Sequence, residues 1–225
     1  MKPQSTLGRA TTPDGKELVL YERDGVYSIR VNGLELMSSR AHGSEEDLAR
    51  LVLARVKART PVILVGGLGL GYTLRAVLDA MPAESRVVVA EIFPAVVEWN
   101  RAELADLAGS PLLDPRVRVE TTDVADLMKN SPAAFDAVLL DVDNGPDAFT
   151  IARNRGLYGP RGLASIHRSL RPKGVLGVWS ADPDRGFERR LAKAGFRVNT
   201  ETVPAYHGAR GPKGAKHTIF IAKLS

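Results

Sequence analysis

Residues 61–71 read Pro-Val-Ile-Leu-Val-Gly-Gly-Leu-Gly-Leu-Gly, and this stretch decides the fold. The apolar run at residues 62–65 predicts a short buried strand, and the apolar spacing of the residues after the run predicts a helix. The turn between them contains four glycines, namely Gly66, Gly67, Gly69 and Gly71. Such a turn brings backbone N–H groups close to a ligand. Strand, glycine turn and helix in this order are typical of the nucleotide-binding unit of a doubly wound sheet.

An acidic residue follows the glycine turn at the sequence separation that is typical of this nucleotide-binding unit. Residues 87–90 predict the next strand, and Glu91 stands at its end, 20 residues after Gly71. A carboxylate there can accept hydrogen bonds from ribose hydroxyls. We therefore predict that the glycine turn and Glu91, with Ile92 beside it, bind an adenosine-containing ligand. No Lys-Ser or Lys-Thr pair follows the glycines, which excludes a triphosphate P-loop.

The composition indicates a globular protein, because 44% of the 225 residues are hydrophobic and 25% are charged. No apolar run approaches the roughly 20 residues that span a bilayer. The first residues show no signal-peptide pattern, and the chain has no cysteine. We expect a cytoplasmic protein without membrane association. The net charge of +5 permits a polyanionic partner, but the basic residues are spread along the chain, which argues against nucleic-acid binding.

The N-terminal part predicts a small antiparallel meander. Residues 18–23, 26–31 and 34–37 read as strands joined by Asp-Gly and Asn-Gly turns, while residues 1–12 read as a loose end. Its role stays open between a structural cap, a dimer contact and a lid over the ligand. Ser44-Glu45-Glu46-Asp47 then resembles a capping box that opens a helix. We predict two parts that pack as one body, residues 1–43 and residues 44–225.

Strands alternate with helices through the rest of the chain, and two strands close it at residues 196–203 and 217–223. Alternation predicts a parallel sheet with helices on both faces. The predicted class is therefore α/β, with a Rossmann-like doubly wound sheet and a terminal antiparallel hairpin. This ending is typical of class I methyltransferases and not of dinucleotide dehydrogenases, although a fold does not fix a reaction.

Acidic residues end three successive strands of the predicted sheet: Glu91, Asp123 and Asp141. Ligands of such sheets lie across the carboxyl ends of the strands. We predict that Asp123, together with the backbone of Val124, meets the adenine amino group, and that the glycine turn faces the tail of the ligand.

The segment after the fourth strand carries the predicted catalytic groups, Asp141, Asp143 and Asn144. Burial and proximity of like charges raise the pKa of a carboxyl group. Such a group can accept a proton from an attacking amine or hydroxyl, or hold a substrate ammonium. An Asx turn at Asp143 is the structural alternative. The four histidines have no spacing that indicates a metal site, and we expect no metal.

These residues resemble the spermidine synthase (polyamine aminopropyltransferase) family over about residues 62–196. The similar segments include Val65-Gly66-Gly67, residues 89–92, the Asp141 loop with Gly145-Pro146, and residues 170–174. The resemblance implies a Rossmann-like transferase behind a small β domain, an adenosyl sulfonium donor and, often, a dimer. It also implies that Asp141 is the catalytic aspartate.

The departures from the family pattern shape the functional expectation. Residues 68–70 lack the acid that binds the aminopropyl amine in the family, Asp143 is out of register with the family's second acid, and residues 40–43 replace a Tyr-His-Glu segment. We therefore expect transfer of a methyl group from S-adenosyl-L-methionine to a small-molecule acceptor, by a homodimer. The alternatives are an aminopropyltransferase that uses decarboxylated S-adenosylmethionine and a non-catalytic adenosyl-binding scaffold. A metal-dependent O-methyltransferase is disfavoured, because residues 180–183 lack the expected ligand pair.

Overall fold

The computed structural model describes residues 3–12, 14–142, 154–208 and 211–224. The strands in these ranges are β1 Ser5–Thr11, β2 Glu17–Arg23, β3 Val26–Val31, β4 Leu34–Ser38, β5 Val62–Gly66, β6 Arg86–Glu91, β7 Val117–Thr121, β8 Phe135–Leu140, β9 Leu170–Ser180, β10 Phe196–Gly208 and β11 Gly211–Leu224. The helices are α1 Gly43–Leu53, α2 Tyr72–Ala80, α3 Pro94–Arg101, α4 Val124–Lys129, α5 Asn154–Leu157, α6 Pro160–Ser169 and α7 Arg185–Lys193, with a 3-10 turn at Pro111–Leu113.

The larger sheet has the strand order β10-β11-β9-β8-β5-β6-β7. Strands β9, β8, β5, β6 and β7 pair in parallel, and β11 pairs antiparallel with both β9 and β10. Ile63, Leu64 and Val65 are fully buried, as expected for a central parallel strand that is covered on both faces. The predicted α/β class, the Rossmann-like sheet and the terminal hairpin are confirmed.

The smaller sheet is an antiparallel meander in the order β1-β2-β3-β4. Three of its strands were predicted, but the expectation of a loose end at residues 1–12 is wrong, because Ser5–Thr11 pairs with β2. This strand has no apolar alternation. It is held at Gly8, where a Cβ atom would overlap the indole of Trp99 in α3. The position of β1 therefore depends on a contact with a helix that is distant in sequence, and the local sequence does not predict the strand.

One continuous hydrophobic core joins the two sheets. It includes Leu20 and Ile29 of the meander, Leu48 of α1, and Ile63 and Val65 of the large sheet, all with no exposed surface. Helix α1 packs on α2, β9 and β10. The carboxyl ends of the central strands therefore lie near the meander and the start of α1.

Two helix boundaries differ from expectation. Pro94 suits the first turn of a helix that the sequence predicts to run to about Leu107. However, α3 ends at Arg101, because Ala102 leaves the helical conformation, with φ −123° and ψ −96°. Helix α1 has His42 at its N-cap and no side-chain cap hydrogen bond, so the predicted capping box does not form. Within the described ranges, no helix is long and apolar enough to span a membrane.

Candidate active site

A cavity of about 420 Å³ opens at the carboxyl ends of β5, β6 and β8. The large sheet contributes the glycine turn and the acids that follow these strands, while the meander contributes its fourth strand and the segment that leads into α1. The residues that line the cavity include Met37, Glu45, Leu68, Leu70, Tyr72, Thr73, Glu91, Asp123, Asp141, Trp179 and His217.

Three glycines of the turn have a left-handed backbone conformation. Gly67, Gly69 and Gly71 have φ of +89°, +54° and +87°, a region that other residues rarely adopt. A Cβ on Gly67 would also overlap the backbone oxygen of Asp141. Gly67 and Gly69 border the cavity, whereas Gly66 and Gly71 are not among its lining residues. Gly66 packs instead on Val124, and Gly71 forms the N-cap of α2.

Glu91 lies at the floor of the cavity, with 6% of its surface exposed. Its two oxygens accept hydrogen bonds from the backbone N–H groups of Leu68 and Phe93, each at 2.9 Å. Burial raises the pKa of Glu91, and these backbone donors oppose the rise. Glu91 therefore fixes the glycine turn and borders the space above it.

Ile92 was predicted to bind the ligand beside Glu91, and Asp123 with the backbone of Val124 was predicted to meet the adenine amino group. Ile92, Asp123 and Val124 all border the cavity. Asp123 caps α4 by accepting a hydrogen bond from the N–H of Ala125 at 2.8 Å. This bond leaves further acceptor capacity on the carboxylate. Binding of a ligand by these residues stays a prediction.

Asp141 follows β8 and borders the same cavity as Glu91. Its Oδ2 atom accepts a hydrogen bond from the hydroxyl of Thr73 at 2.6 Å. Burial raises the pKa of Asp141, while the Thr73 hydroxyl lowers it. The other two predicted catalytic residues, Asp143 and Asn144, lie outside the described residues.

A second carboxylate faces Asp141, and it comes from α1. Burial, and then the negative charge of Asp141, raise the pKa of Glu45 to about 7. The sequence interpretation missed Glu45 as a site residue because it read residues 44–47 as a helix cap. A carboxyl group with a pKa near neutrality can accept or release a proton under ordinary conditions.

Aromatic and apolar side chains complete the wall. Trp179 of β9 and Tyr72 of α2 border the cavity, and Tyr72 stacks on His42 with ring centroids 4.0 Å apart. Burial, and then the charge of Glu45, raise the pKa of Tyr72. Over the glycine turn, the sulfur of Met37 lies 3.2 Å from the position of a Cβ on Gly69. Of the three roles considered for the meander, a structural cap, a dimer contact and a lid over the ligand, these contacts favour the lid.

The family model described as "Spermine/spermidine synthase domain" matches residues 41–183. This segment is more than half of the chain. It contains the glycine turn and the cavity residues Glu45, Glu91, Asp123 and Asp141. The chain belongs to the spermine/spermidine synthase family.

Curated relatives of this family include the polyamine aminopropyltransferase of Mycobacterium tuberculosis, 34% identical over 129 residues, which are 56% of this chain and 23% of that protein. Polyamine aminopropyltransferase 2 of Pseudomonas aeruginosa is 28% identical over 163 residues, or 67% of this chain and 44% of that protein. The matches thus span less than half the length of either relative.

Solved structures share the fold at low identity. The spermidine synthase of Thermotoga maritima superposes with a TM-score of 0.77 at 18% identity, covering 98% of this chain and 73% of that chain. A spermidine synthase in complex with the transition-state analogue AdoDATO gives 0.78 at 18% identity, covering 98% and 74%.

Family membership corrects the functional expectation. The prediction of methyl transfer from S-adenosyl-L-methionine is wrong, because the matching family model and both curated relatives carry the description of aminopropyltransferases or spermidine synthases. The prediction failed because the absence of an acid at residues 68–70 was interpreted as the absence of any site for an amine. The structure has an acid at Glu45 instead, on helix α1, which precedes the large sheet in the chain.

Proposed function

We propose that this protein transfers an aminopropyl group from decarboxylated S-adenosylmethionine to a small amine acceptor. The observation that carries the proposal is the pair Glu45 and Asp141, two partly buried carboxyls that border one cavity inside the segment matched by the family model. An amine acceptor is an ammonium ion at neutral pH, and an ammonium ion in a closed cavity needs negative partners.

The donor would lie across the glycine turn with its ribose hydroxyls on Glu91 and its adenine beside Ile92, Asp123 and Val124. Glu91 has 6% of its surface exposed and both oxygens already bound to backbone N–H groups, so the carboxylate is held in one orientation. Because the Glu91 carboxylate is already fixed, less conformational entropy is lost when the ribose hydroxyls bind to it. The sulfonium end of the donor would then point toward Asp141.

In the reaction, the nitrogen of the acceptor forms a bond to the aminopropyl carbon while the bond from that carbon to sulfur breaks. The sulfur leaves as the neutral thioether of methylthioadenosine, and the acceptor nitrogen loses one proton. A sulfonium is a good leaving group, so alignment of nitrogen, carbon and sulfur supplies most of the acceleration. Asp141 would orient the amine and accept its proton, and burial already raises the pKa of this carboxyl.

The test uses decarboxylated S-adenosylmethionine with a series of linear diamines, and mass spectrometry to detect methylthioadenosine and the extended amine. We expect both products, and we expect Asp141→Asn to reduce kcat by about a hundredfold or more while donor binding persists. Asp106→Asn, a change at an exposed aspartate outside the cavity, is the matched control. The proposal fails if neither product forms, or if S-adenosylmethionine yields a methylated amine instead.

The resemblance also supports a homodimer in the cytoplasm as part of this proposal. Light scattering of the purified protein tests the dimer directly, and a mass equal to one chain contradicts it. The chain itself has a mass of 24.3 kDa, so a dimer is readily distinguished.

A further inference from the structure

The proposed donor brings a second ammonium group into the cavity, besides that of the acceptor. Decarboxylated S-adenosylmethionine carries a primary ammonium at the end of its aminopropyl arm, three carbons from the sulfur. If the ribose lies on Glu91 and the sulfonium points toward Asp141, this arm passes over the glycine turn. An ammonium ion that leaves water needs a negative partner. The turn itself offers none, because residues 68–70 read Leu-Gly-Leu.

The surface around the glycine turn is apolar. Leu68 and Leu70 are buried in the cavity wall, and the sulfur of Met37 lies 3.2 Å from the position of a Cβ on Gly69. These side chains can pack against the methylene groups of the arm, but they cannot pair with its ammonium. The negative partner must therefore come from another element.

Among the residues that the structure describes, the acids that line the cavity are Glu35, Glu45, Glu91, Asp123 and Asp141. Three of them have other roles. Glu91 is held by backbone N–H groups below the ribose position, and Asp123 caps α4 at the adenine end. Glu35 is exposed on β4 and pairs with Arg30 at 3.6 Å. The two acids that remain are the pair on which the proposed function rests.

Glu45 lies near the point where the glycine turn ends and α2 begins. It belongs to the first turn of α1, and the ring of His42 at the start of α1 stacks on Tyr72, the first residue of α2, with centroids 4.0 Å apart. Asp141 is bonded to the next residue of α2, because its Oδ2 accepts from the hydroxyl of Thr73 at 2.6 Å. Two carboxyls from different elements therefore meet the same end of the turn.

A short chain of hydrogen bonds orients the Glu45 carboxylate. The indole N–H of Trp179 donates to Oγ of Ser44 at 3.0 Å, and the Ser44 hydroxyl donates to Oε2 of Glu45 at 2.7 Å. Ser44 has no exposed surface, so this support is shielded from water. A carboxylate has about four acceptor positions, and capacity for a ligand ammonium therefore remains.

We infer that Glu45 binds the ammonium of the donor's aminopropyl arm, which leaves Asp141 to hold the amine of the acceptor. The inference rests on the proposed function for the identity of the donor. The negative charge of Asp141 opposes ionisation of Glu45 in the empty cavity, and an ammonium ion between them offsets this repulsion. An acid on α1 thus takes the role that an acid inside the glycine turn was expected to have.

The same arrangement selects against S-adenosyl-L-methionine. That molecule carries a carboxylate on the carbon that bears the amine, and this carboxylate would enter the neighbourhood of Glu45 and Asp141. Like charges placed together reject a ligand. Among the described cavity-lining residues, Arg40 is the only lysine or arginine, and it is exposed. A donor without the carboxylate therefore fits the inner part of the cavity better.

Calorimetry with two sulfonium ligands tests the assignment without turnover. One ligand is decarboxylated S-adenosylmethionine, and the other has a propyl group in place of the aminopropyl group, so only the ammonium differs. At about pH 8.5 Glu45 is ionised, because its pKa is about 7, and a primary ammonium keeps its proton. We expect the parent to bind the amino ligand about ten- to hundredfold more tightly than the propyl ligand, and Glu45→Gln to bind both within about threefold. The preference over S-adenosyl-L-methionine should also shrink in Glu45→Gln.

Two further variants separate this role from a general effect of charge. Glu35→Gln removes a carboxyl from the same cavity and should keep the parent's preference for the amino ligand. Asp141→Asn should keep this preference too, and should instead weaken binding of the acceptor amine when methylthioadenosine occupies the donor site. The amide oxygen of Glu45→Gln can still accept the Ser44 hydrogen bond, and urea denaturation checks that the variant is folded.

The inference is overturned if Glu45→Gln keeps the parent's preference for the amino ligand, or if the parent shows no such preference or binds neither ligand. Its failure differs from failure of the proposed function. If no aminopropyl group is transferred but Glu45→Gln loses the preference, the proposed function fails and the assignment of Glu45 holds. If transfer occurs and Glu45→Gln keeps the preference, only the assignment of Glu45 fails.

Discussion

At the scale of single residues, Glu45 is a carboxyl group whose pKa lies close to neutral pH. Burial and the charge of Asp141 raise its pKa from the ordinary 4.5 to about 7. The folded protein therefore binds this proton more tightly than the unfolded chain. Such a group adds its full stability below pH 4.5, and the stability is lost as pH rises through about 7.

Glu45→Gln removes that pH dependence. At pH well above 7 we expect the variant to be more stable than the parent by about 3 kcal/mol, since a difference of one in pKa is worth about 1.4 kcal/mol and the pKa of Glu45 rises from 4.5 to about 7. Below pH 4.5 the two proteins should have nearly equal free energies of unfolding. Urea denaturation at an acidic and an alkaline pH measures the difference. A constant difference at both pH values would show that the shift is absent.

Gly67 combines a left-handed backbone with a close approach to Asp141 at the end of β8. Its φ is +89°, and a Cβ would overlap the backbone oxygen of Asp141. Gly25 has a similar φ of +79° but open space around it. We expect Gly25→Ala to cost about 1 kcal/mol for the backbone alone.

Gly67→Ala should cost about 1 to 3 kcal/mol more than Gly25→Ala, because the added methyl group must displace Asp141. Aminopropyl transfer should also fall in this variant and not in the control. Denaturation midpoints and initial rates of the two variants measure both effects. Equal losses of stability would mean that the Asp141 backbone moves aside freely.

Elements with a strong local pattern were predictable from the sequence, and elements held by distant contacts were not. The apolar run before Gly66 and the Asp24-Gly25 turn each encode their own structure, because burial and turn geometry act within a few residues. Strand β1 has no such pattern and exists through its packing on α3. Ser44 looked like a cap because no local signal reveals that β9 and β11 bring Trp179 and His217 above it.

The same reasoning explains which parts of the candidate site were found. Glu91, Asp123 and Asp141 follow strands of one sheet, and parallel strands end at one edge, so their position follows from topology. Glu45 enters from a helix that precedes the sheet in the chain. Only the packing of α1 against β8 and β9 brings it to the same cavity.

Gly8→Ala tests how β1 is held. The new methyl group would overlap Nε1 of Trp99, so the strand must move away from α3. We expect a loss of about 1 to 3 kcal/mol and a shift in Trp99 fluorescence. Thr6→Ala, on an exposed position of the same strand, should stay within about 0.5 kcal/mol of the parent. A neutral Gly8→Ala with unchanged fluorescence would show that β1 does not rest on this contact.

At the scale of the whole molecule, the cavity depends on two sheets that share one core. Leu20 and Ile29 of the meander lie in the same hydrophobic cluster as Ile63 and Val65 of the large sheet. The meander also supplies Met37 to the wall over the glycine turn. A small meander gains little stability alone, so the shared core should make both sheets unfold together.

Leu20→Ala distinguishes one cooperative unit from two independent parts, residues 1–43 and 44–225. Leu20 has no exposed surface, so its truncation should cost about 2 to 5 kcal/mol. With Trp179 replaced by Phe, the fluorescence of Trp99 reports the contact with β1, while far-UV circular dichroism reports the large sheet. We expect both signals to shift to the same lower urea midpoint, because the lost packing belongs to a core that both sheets need. If the fluorescence transition moved alone, the meander would be an independent part, and the wall that it gives the cavity could open without unfolding the large sheet.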